Sequence, residues 1–316
     1  MSKFSNFICS ASVLAALALP AFPAWADGDR PSNISGLESF GPEAIIVVTD
    51  AKTKSQEPRV SVMTVGEKGN KYMPVTIEQW SVDDPKAQAA SDIESICEVP
   101  GEPGHFYAFE SGYWKDGSGR AFKIHVNHHP FKGWIGQVEQ VVYPFAKPAG
   151  GTTSDHEQIE GSAAIKDGDG VLYFLLGLRG SPEHPGQLVV SRLDGDKVVE
   201  VERHKLDLRN FLNGRSCSDL MLCPTSQPNE FDILSSGCID SSDLGPFSSV
   251  ICKVGTLEIA KSGYKLKMTD PQLMYIIDGL KVEALCPTPV TIEGSHISIG
   301  TDSENFEPIF RPLPIK

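Results

Sequence analysis

The sequence lacks most of the short signatures that announce a chemistry. It contains no G-x-S-x-G nucleophile elbow, no phosphate-cradling P-loop and no dinucleotide-binding glycine pattern. No C-x-x-C pair occurs, which excludes the usual zinc clusters. Positive charge is scarce: 28 Lys and Arg stand against 41 Asp and Glu, for a net charge of −13. Such a chain would meet repulsion at a nucleic-acid backbone, so no nucleic-acid partner is expected. Its acidic clefts favour cations instead, above all hard ones held by oxygen. Helix signals are also few. The clearest is DPKAQAASDIES (84–95), with NFLNG (210–214) and DPQLMYIIDG (270–279) as candidate short helical turns.

Long apolar runs are missing too, except at the start. Residues 1–26 read as a secretory signal: Lys3 in the n-region, an apolar stretch from Ile8 to Leu19, and Ala24-Trp25-Ala26 fitting the cleavage rule. The apolar stretch is too short to span a bilayer, and Pro20 and Pro23 interrupt it. Cleavage after Ala26 would leave residues 27–316, one charge unit more acidic than the whole chain because Lys3 departs. The expected location is periplasmic or secreted, with no membrane attachment after cleavage and a monomeric state. Seven cysteines become six once Cys9 is removed. An even number outside the cytoplasm permits disulfides. Cys238 and Cys252 bracket a hairpin loop and are candidates to pair, whereas Cys97, Cys223 and Cys286 sit in apolar strands where thiols behave as small hydrophobes. Asn33-Ile34-Ser35 is an N-glycosylation sequon.

What is present is a repeat. Five pieces align: ISGLESF (34–40), IESICEV (93–99), IEGSAAI (159–165), CSDLMLC (217–223) and VEALCPT (282–288). Their second positions are Ser35, Glu94, Glu160, Ser218 and Glu283, spaced 58 to 66 residues apart. After each piece comes an apolar strand ending in a polar residue: Asp50, Glu110, Arg179, Ser236 and Asp302. A third strand follows in every unit, and a fourth is visible in four of them. Glycine and proline punctuate the gaps. Four antiparallel strands repeated five times predict an all-β fold, a five-bladed β-propeller around a central channel, as one domain over 27–316. The last unit lacks a fourth strand, which an N-terminal segment could supply. A long β-sandwich or two β-domains is the competing architecture, but neither has reason to repeat one polar position per unit.

The innermost strand of a blade lines the channel. Ser35, Glu94, Glu160, Ser218 and Glu283 are therefore expected to converge on the axis. Three facing carboxylates would repel and raise one another's pKa values, and a bound Ca²⁺ would remove that repulsion. A hydrated channel without metal is the alternative. The second-strand ends form another ring, Asp50, Glu110, Arg179 and Asp302, with Lys52 and Glu304 beside them. They are read either as an anion-binding mouth or as mutual salt bridges. KDGDG (166–170) lacks the EF-hand glutamate and spacing and is read as a turn. HVNHH (125–129) and DHEQ (155–158) are read as solvated loop residues, the first with a weaker reading as a transition-metal site.

These residues resemble the calcium-activated apyrase (soluble nucleotidase) family, a five-bladed propeller whose central Ca²⁺ takes ligands in the chain order Ser, Glu, Glu, Ser, Glu. IEGSA followed by a strand ending in Arg179 is the closest local match, and Asp50 with Lys52 is similar to that family's acidic and basic pair. The IEG and GLRGS pieces also resemble bacterial phytase-like or esterase-like propellers of unassigned function, over most of residues 30–312. The fourth unit's SSGCID and the second unit's FESGYW depart from the nucleotidase pattern. The resemblance implies an exported Ca²⁺-dependent hydrolase of phosphoester or phosphoanhydride bonds. Ser35, Glu94, Glu160, Ser218 and Glu283 would hold the metal, Asp50, Arg179 and Asp302 would be catalytic, and Lys52, Glu110 and Glu304 would bind a small phosphorylated substrate. The rivals are a non-enzymatic propeller riveted by Ca²⁺, offering a ligand or protein platform, and a lactone or carboxylester hydrolase.

Overall fold

The computed structural model describes residues 31–52, 58–66, 69–83, 86–112, 119–239, 241–242, 244–302 and 306–315. The proposed signal, residues 1–26, and Glu304 lie outside them.

Blade 1 consists of β1 (Gly36–Phe40), β2 (Ala44–Val48), β3 (Val60–Gly66) and β4 (Gly69–Pro74). Blade 2 consists of β6 (Ile93–Glu98), β7 (His105–Glu110), β8 (Ala121–His129) and β9 (Gly133–Val142), with the two-residue β5 (Thr76–Ile77) added in parallel at its outer edge. Blade 3 is β10 (Ile159–Lys166), β11 (Leu172–Leu178), β12 (Gly186–Asp194) and β13 (Lys197–Leu206). Blade 4 is β14 (Asp219–Pro224), β15 (Glu230–Ile239), β16 (Ser248–Ile259) and β17 (Tyr264–Asp278). Blade 5 has three strands among the described residues, β18 (Val282–Pro287), β19 (Ser295–Thr301) and β20 (Phe310–Pro314). Within each blade the strands pair in chain order, antiparallel. The molecule is a five-bladed β-propeller.

The apolar alternation of each strand buries both faces of a blade against its neighbours, and the five hydrophobic clusters are the five blade interfaces. Ile46, Val62, Phe106 and Phe122 join blades 1 and 2; Tyr107, Phe109, Phe174 and Val189 join blades 2 and 3. Leu175, Val190, Leu220 and Val250 join blades 3 and 4; Leu234, Ile251, Leu285 and Ile299 join blades 4 and 5. Ile45, Val47, Ala284 and Phe310 close the ring between blades 5 and 1, helped by Ile34 N–H donating to Thr301 O at 3.2 Å. Each such cluster removes from water several aliphatic or aromatic side chains, each worth about 1.5–3 kcal/mol when fully buried.

The inner strands pass close to one another near the axis. A Cβ on Gly161 would fall 2.4 Å from Leu220 N, and one on Gly36 would fall 2.7 Å from Val48 Cγ2. The glycine of the IEG piece is thus a requirement of backbone approach.

The structure corrects several expectations. Residues 86–95 form no helix; the carbonyls of Gln88 and Ala89 instead accept Arg120 Nη1 and Nη2 at 3.0 and 3.2 Å, and that of Ala90 accepts Arg59 Nε. Two arginines, one just before β3 of blade 1 and one just before β8 of blade 2, satisfy groups that helical bonds would have used. DPQLMYIIDG lies in β17, an outer strand, with Pro271 in a register break between Gln272 and Met268, where a missing N–H costs no ladder bond. NFLNG lies in a single hydrogen-bonded turn, with Phe211 N and Leu212 N donating to Leu208 O at 2.9 and 3.3 Å, that does not extend into a helix. All six described cysteines are free thiols: in the β15–β16 ladder Cys238 faces Ser249 and Cys252 faces Ser235, so the candidate pair is not bonded. KDGDG is a turn, held by Asp167 Oδ1 accepting from Asp169 N and Val171 N at 3.0 and 2.9 Å.

Candidate metal centre

The repeated polar position has a common structural cause. In blades 2, 3 and 5 the ladder skips one residue between the first two strands, and the skipped residue is Glu94, Glu160 or Glu283. A β-bulge re-aims its extra side chain. In blades 1 and 4 the position falls just before the strand, where Ser35 N donates to Val48 O at 3.1 Å and Ser218 N to Ser236 O at 2.8 Å. All five residues are buried at one end of the channel.

The ring is not symmetric. On one side Glu160 Oε1 lies 2.7 Å from Arg179 Nε, and Glu283 Oε1 lies 2.9 Å from Arg215 Nη1 and 3.1 Å from Lys281 Nζ. Arg215 also reaches Glu160 Oε2 at 3.5 Å, and Lys281 reaches Asp302 Oδ2 at 3.0 Å. Ser218 Oγ donates to Val282 O at 2.9 Å. Arg179 and Asp302 thus each take part in a salt bridge. Burial pushes the Glu283 carboxyl up to about 7, against the pull of Lys281 and Arg215.

On the other side, Asp50, Asp92 and Glu94 converge, with one oxygen from each within 4.8 Å of the others. No ion pair reaches Glu94 among the described residues. Burial, then the charges of Asp92, Glu160, Asp50 and Glu283, raise its carboxyl well above the usual range. Lys52 Nζ sits 2.8 Å from Asp92 Oδ1 and 3.4 Å from Asp50 Oδ2, on a side chain 51% exposed. Burial alone would lower this ammonium, but Asp92, Asp50 and Glu94 outweigh it and keep it charged. Asn33 Nδ2 donates to Asp50 Oδ1, and Ser111 Oγ to Asp92 Oδ2. Among the described residues, two buried oxygens of the segment entering β1 have no hydrogen-bond partner: Asn33 Oδ1, whose amide nitrogen bonds Asp50, and Ser35 Oγ two residues on. Asp92 adopts φ +63°, a left-handed conformation unusual for a non-glycine residue, which concentrates at functional sites.

Three carboxylates, a hydroxyl and an amide carbonyl make an all-oxygen donor set, which fits a hard cation such as Ca²⁺. Among the described residues the mouth groups six carboxylates with four cationic side chains, a formal excess of two negative charges. The burial of Asn33 with its amide inside this network leaves no room for a glycan on the folded chain.

Glu110 does not join the mouth. It is 1% exposed and holds Arg120 through Nε at 3.1 Å and Nη2 at 2.6 Å, while also accepting from Ser91 N. It organises the non-helical 86–92 segment. Asp92, Asn33, Arg215 and Lys281 are mouth residues that the repeat at the second position does not contain. A signal for three of them was present: two residues before each repeated position stand Asn33, Asp92, Gln158, Ser216 and Lys281, all polar and all buried. Period-two alternation puts them on the same side of the chain as the ring.

At the opposite end the same five strands enclose a cavity of about 270 Å³, lined by Ile96, Ile165, Leu222, Phe231 and Leu285 with Glu38 and Glu98 on one wall.

No protein-family model matches the chain, and no curated protein does. Among solved structures it is similar to an exo-1,5-alpha-L-arabinanase from a bovine ruminal metagenomic library, at 10% identity and TM-score 0.48 over 92% of this chain and 95% of that one. It is similar to a thermostable family-43 glycoside hydrolase, at 11% identity and TM-score 0.47 over 89% of each chain. It is also similar to the Cellvibrio cellulosa alpha-L-arabinanase complexed with arabinohexaose, at 11% identity and TM-score 0.45 over 92% and 93%. None of the three bears the name of a nucleotidase or phytase, and likenesses this distant assign no chemistry.

Proposed function

We propose that this propeller binds one divalent cation, Ca²⁺, at the channel mouth through Asp50, Asp92 and Glu94 with Ser35 and Asn33, and acts outside the cytoplasm as a Ca²⁺-dependent hydrolase of phosphoester or phosphoanhydride bonds. The observation that carries the reading is a largely buried cluster of three carboxylates, with two buried oxygens nearby in sequence that have no partner among the described residues. When bound, the cation would neutralise the carboxylates and polarise a phosphoryl oxygen. Lys52 occupies the cluster as a provisional counter-ion on a half-exposed side chain, so it can turn outward to meet a substrate anion. Asp50 is the mouth carboxylate placed to orient water, because Asn33 holds one of its oxygens and leaves the other toward the site. Arg179 and Asp302 act from behind, holding Glu160 and Lys281 in place. Of the five ring residues Ser35, Glu94, Glu160, Ser218 and Glu283, this reading keeps only Ser35 and Glu94 as metal ligands, because Glu160 and Glu283 face Arg179, Arg215 and Lys281 and Ser218 Oγ donates to Val282 O.

A second reading has its own support. Arg179, Arg215 and Lys281 all point their charges at protein carboxylates, as they would in a propeller riveted by its cation and without turnover. One experiment separates the two. Chelator-stripped protein is titrated with CaCl₂ by calorimetry, then assayed with ATP, phytate and p-nitrophenyl phosphate. The hydrolase reading expects one Ca²⁺ per chain and phosphate release that disappears in Glu94→Gln. Binding with a raised melting temperature but no release supports the rivet. Absence of Ca²⁺ binding overturns both.

A further inference from the structure

We propose that blade 2 carries a separate site for a borderline transition-metal ion of the Zn²⁺ class, formed by His105, His125 and Glu139. The three residues come from β7, β8 and β9, which lie side by side. His105 and His125 are direct cross-strand partners, and their rings stack at 4.2 Å between centroids, 5° from parallel. Glu139 is the residue skipped in the β8–β9 ladder between Gln140 and Val138, so a bulge turns it toward the two rings. One ligand atom from each residue lies within 4.8 Å of the other two. HVNHH is therefore strand, and His125 has both a second imidazole and a carboxylate beside it.

The hydrogen bonding of His105 favours a metal. Its Nδ1 lies 3.2 Å from the carbonyl of Pro103, which can only accept, so Nδ1 carries a hydrogen and Nε2 is the nitrogen that faces Glu139 Oε1, at 3.3 Å. A metal ion between Nε2 and Oε1 would be held by both. Metal-bound histidines commonly donate their other N–H to a backbone carbonyl, which fixes the tautomer and raises ligand basicity. Lys123 offers Glu139 only a long contact of 3.6 Å, because its short bond, 2.6 Å, goes to Glu102.

Two imidazoles and one carboxylate suit Zn²⁺ better than Ca²⁺, and three protein ligands leave a position for water. Bond lengths of about 2.0–2.2 Å put tetrahedral donors roughly 3.4 Å apart, near the His105–Glu139 separation. The side chains of His105 and Glu139 are 22% and 35% exposed, so an ion can enter. His156 and His184 provide a control: they stack at 4.3 Å, but among the described residues no carboxylate completes a three-ligand group with them.

The test is a calorimetric titration of untagged, chelator-stripped protein with ZnCl₂, in excess CaCl₂ so that the channel mouth does not compete. One Zn²⁺ per chain is expected. His105→Ala and His125→Ala should each weaken it about tenfold or more, Glu139→Gln by several-fold, and His184→Ala not at all. With Cu²⁺ as probe, paramagnetic resonance should show two coupled nitrogens, and one in His125→Ala. Melting curves matching the parent confirm that the variants fold. No saturable uptake at millimolar Zn²⁺, or uptake and nitrogen coupling unchanged in His125→Ala, overturns the proposal.

Discussion

At the mouth of the channel the first strands present Glu94, Glu160, Ser218 and Glu283; four residues further along they present Glu98, Ala164, Leu222 and Pro287. At about 3.3 Å per residue the two layers are roughly 13 Å apart. Both ends contain buried carboxylates, but they are stabilised differently. At the mouth Glu160, Glu283 and Asp302 depend on Arg179, Arg215 and Lys281, long side chains from other positions of the ring. Toward the far end, Asp219 accepts from Leu285 N and Leu220 N at 2.6 and 2.7 Å, and Glu38 from Ser39 N and Glu98 N at 2.7 and 3.2 Å. Backbone donors cannot leave or be screened. Charged side chains can be displaced by an ion, so exchange chemistry belongs at the mouth.

The sharpest way to break this contrast is to remove a charge from the mouth. Lys281 is 2% exposed and holds both Glu283 and Asp302, so Lys281→Met removes a buried cation that two carboxylates share, with Arg215 still beside Glu283. Losing one partner of a buried ion pair costs about 3–5 kcal/mol. Urea unfolding in chelator should show that loss, partly restored by CaCl₂. Asp219→Asn keeps a carbonyl acceptor and should cost only about 1–2 kcal/mol, unaffected by Ca²⁺. Equal costs for the two variants would show that the ends do not differ.

The next effect is a pH dependence. Glu283 is raised to about 7, and Glu94 is raised as well. Both groups are protonated in the folded and unfolded states below their ordinary carboxylate range. As pH climbs from about 4.5 toward 7, the unfolded chain ionises while the folded one keeps its protons, so stability falls across that window. Melting temperatures in chelator should therefore decline with pH, and Ca²⁺ should flatten the decline. Glu94→Gln should remove part of the slope and weaken Ca²⁺ binding about tenfold.

The five-fold ring was legible because the same place in each repeat turns a polar residue toward the axis, through a bulge in blades 2, 3 and 5 and at the entry to the first strand in blades 1 and 4. The partners were harder to read. Lys281 and Asp92 carried a period-two signal, but Arg215 reaches Glu160 and Glu283 through a long side chain whose direction spacing does not reveal. The helix expected at 84–95 failed for a similar reason. Ala, Gln and Lys favour helix locally, yet Arg59 and Arg120, distant in sequence, supply the hydrogen bonds that decide the backbone.

The smallest effect tests the far end alone. Burial, reinforced by the Glu98 carboxylate, raises Glu38 to about 7 although two backbone donors pull the other way. Glu38→Gln keeps a side-chain oxygen for those donors and removes the charge that forms at alkaline pH. The side chain is only partly buried, so after solvent screening the variant should gain roughly 1 kcal/mol at pH 8 and nothing at pH 5. Unlike the mouth variants, it should behave identically with Ca²⁺ and with chelator, because its proton is set by backbone and apolar walls and not by the ion. A gain that disappears on adding Ca²⁺ would mean the two ends are electrostatically one site.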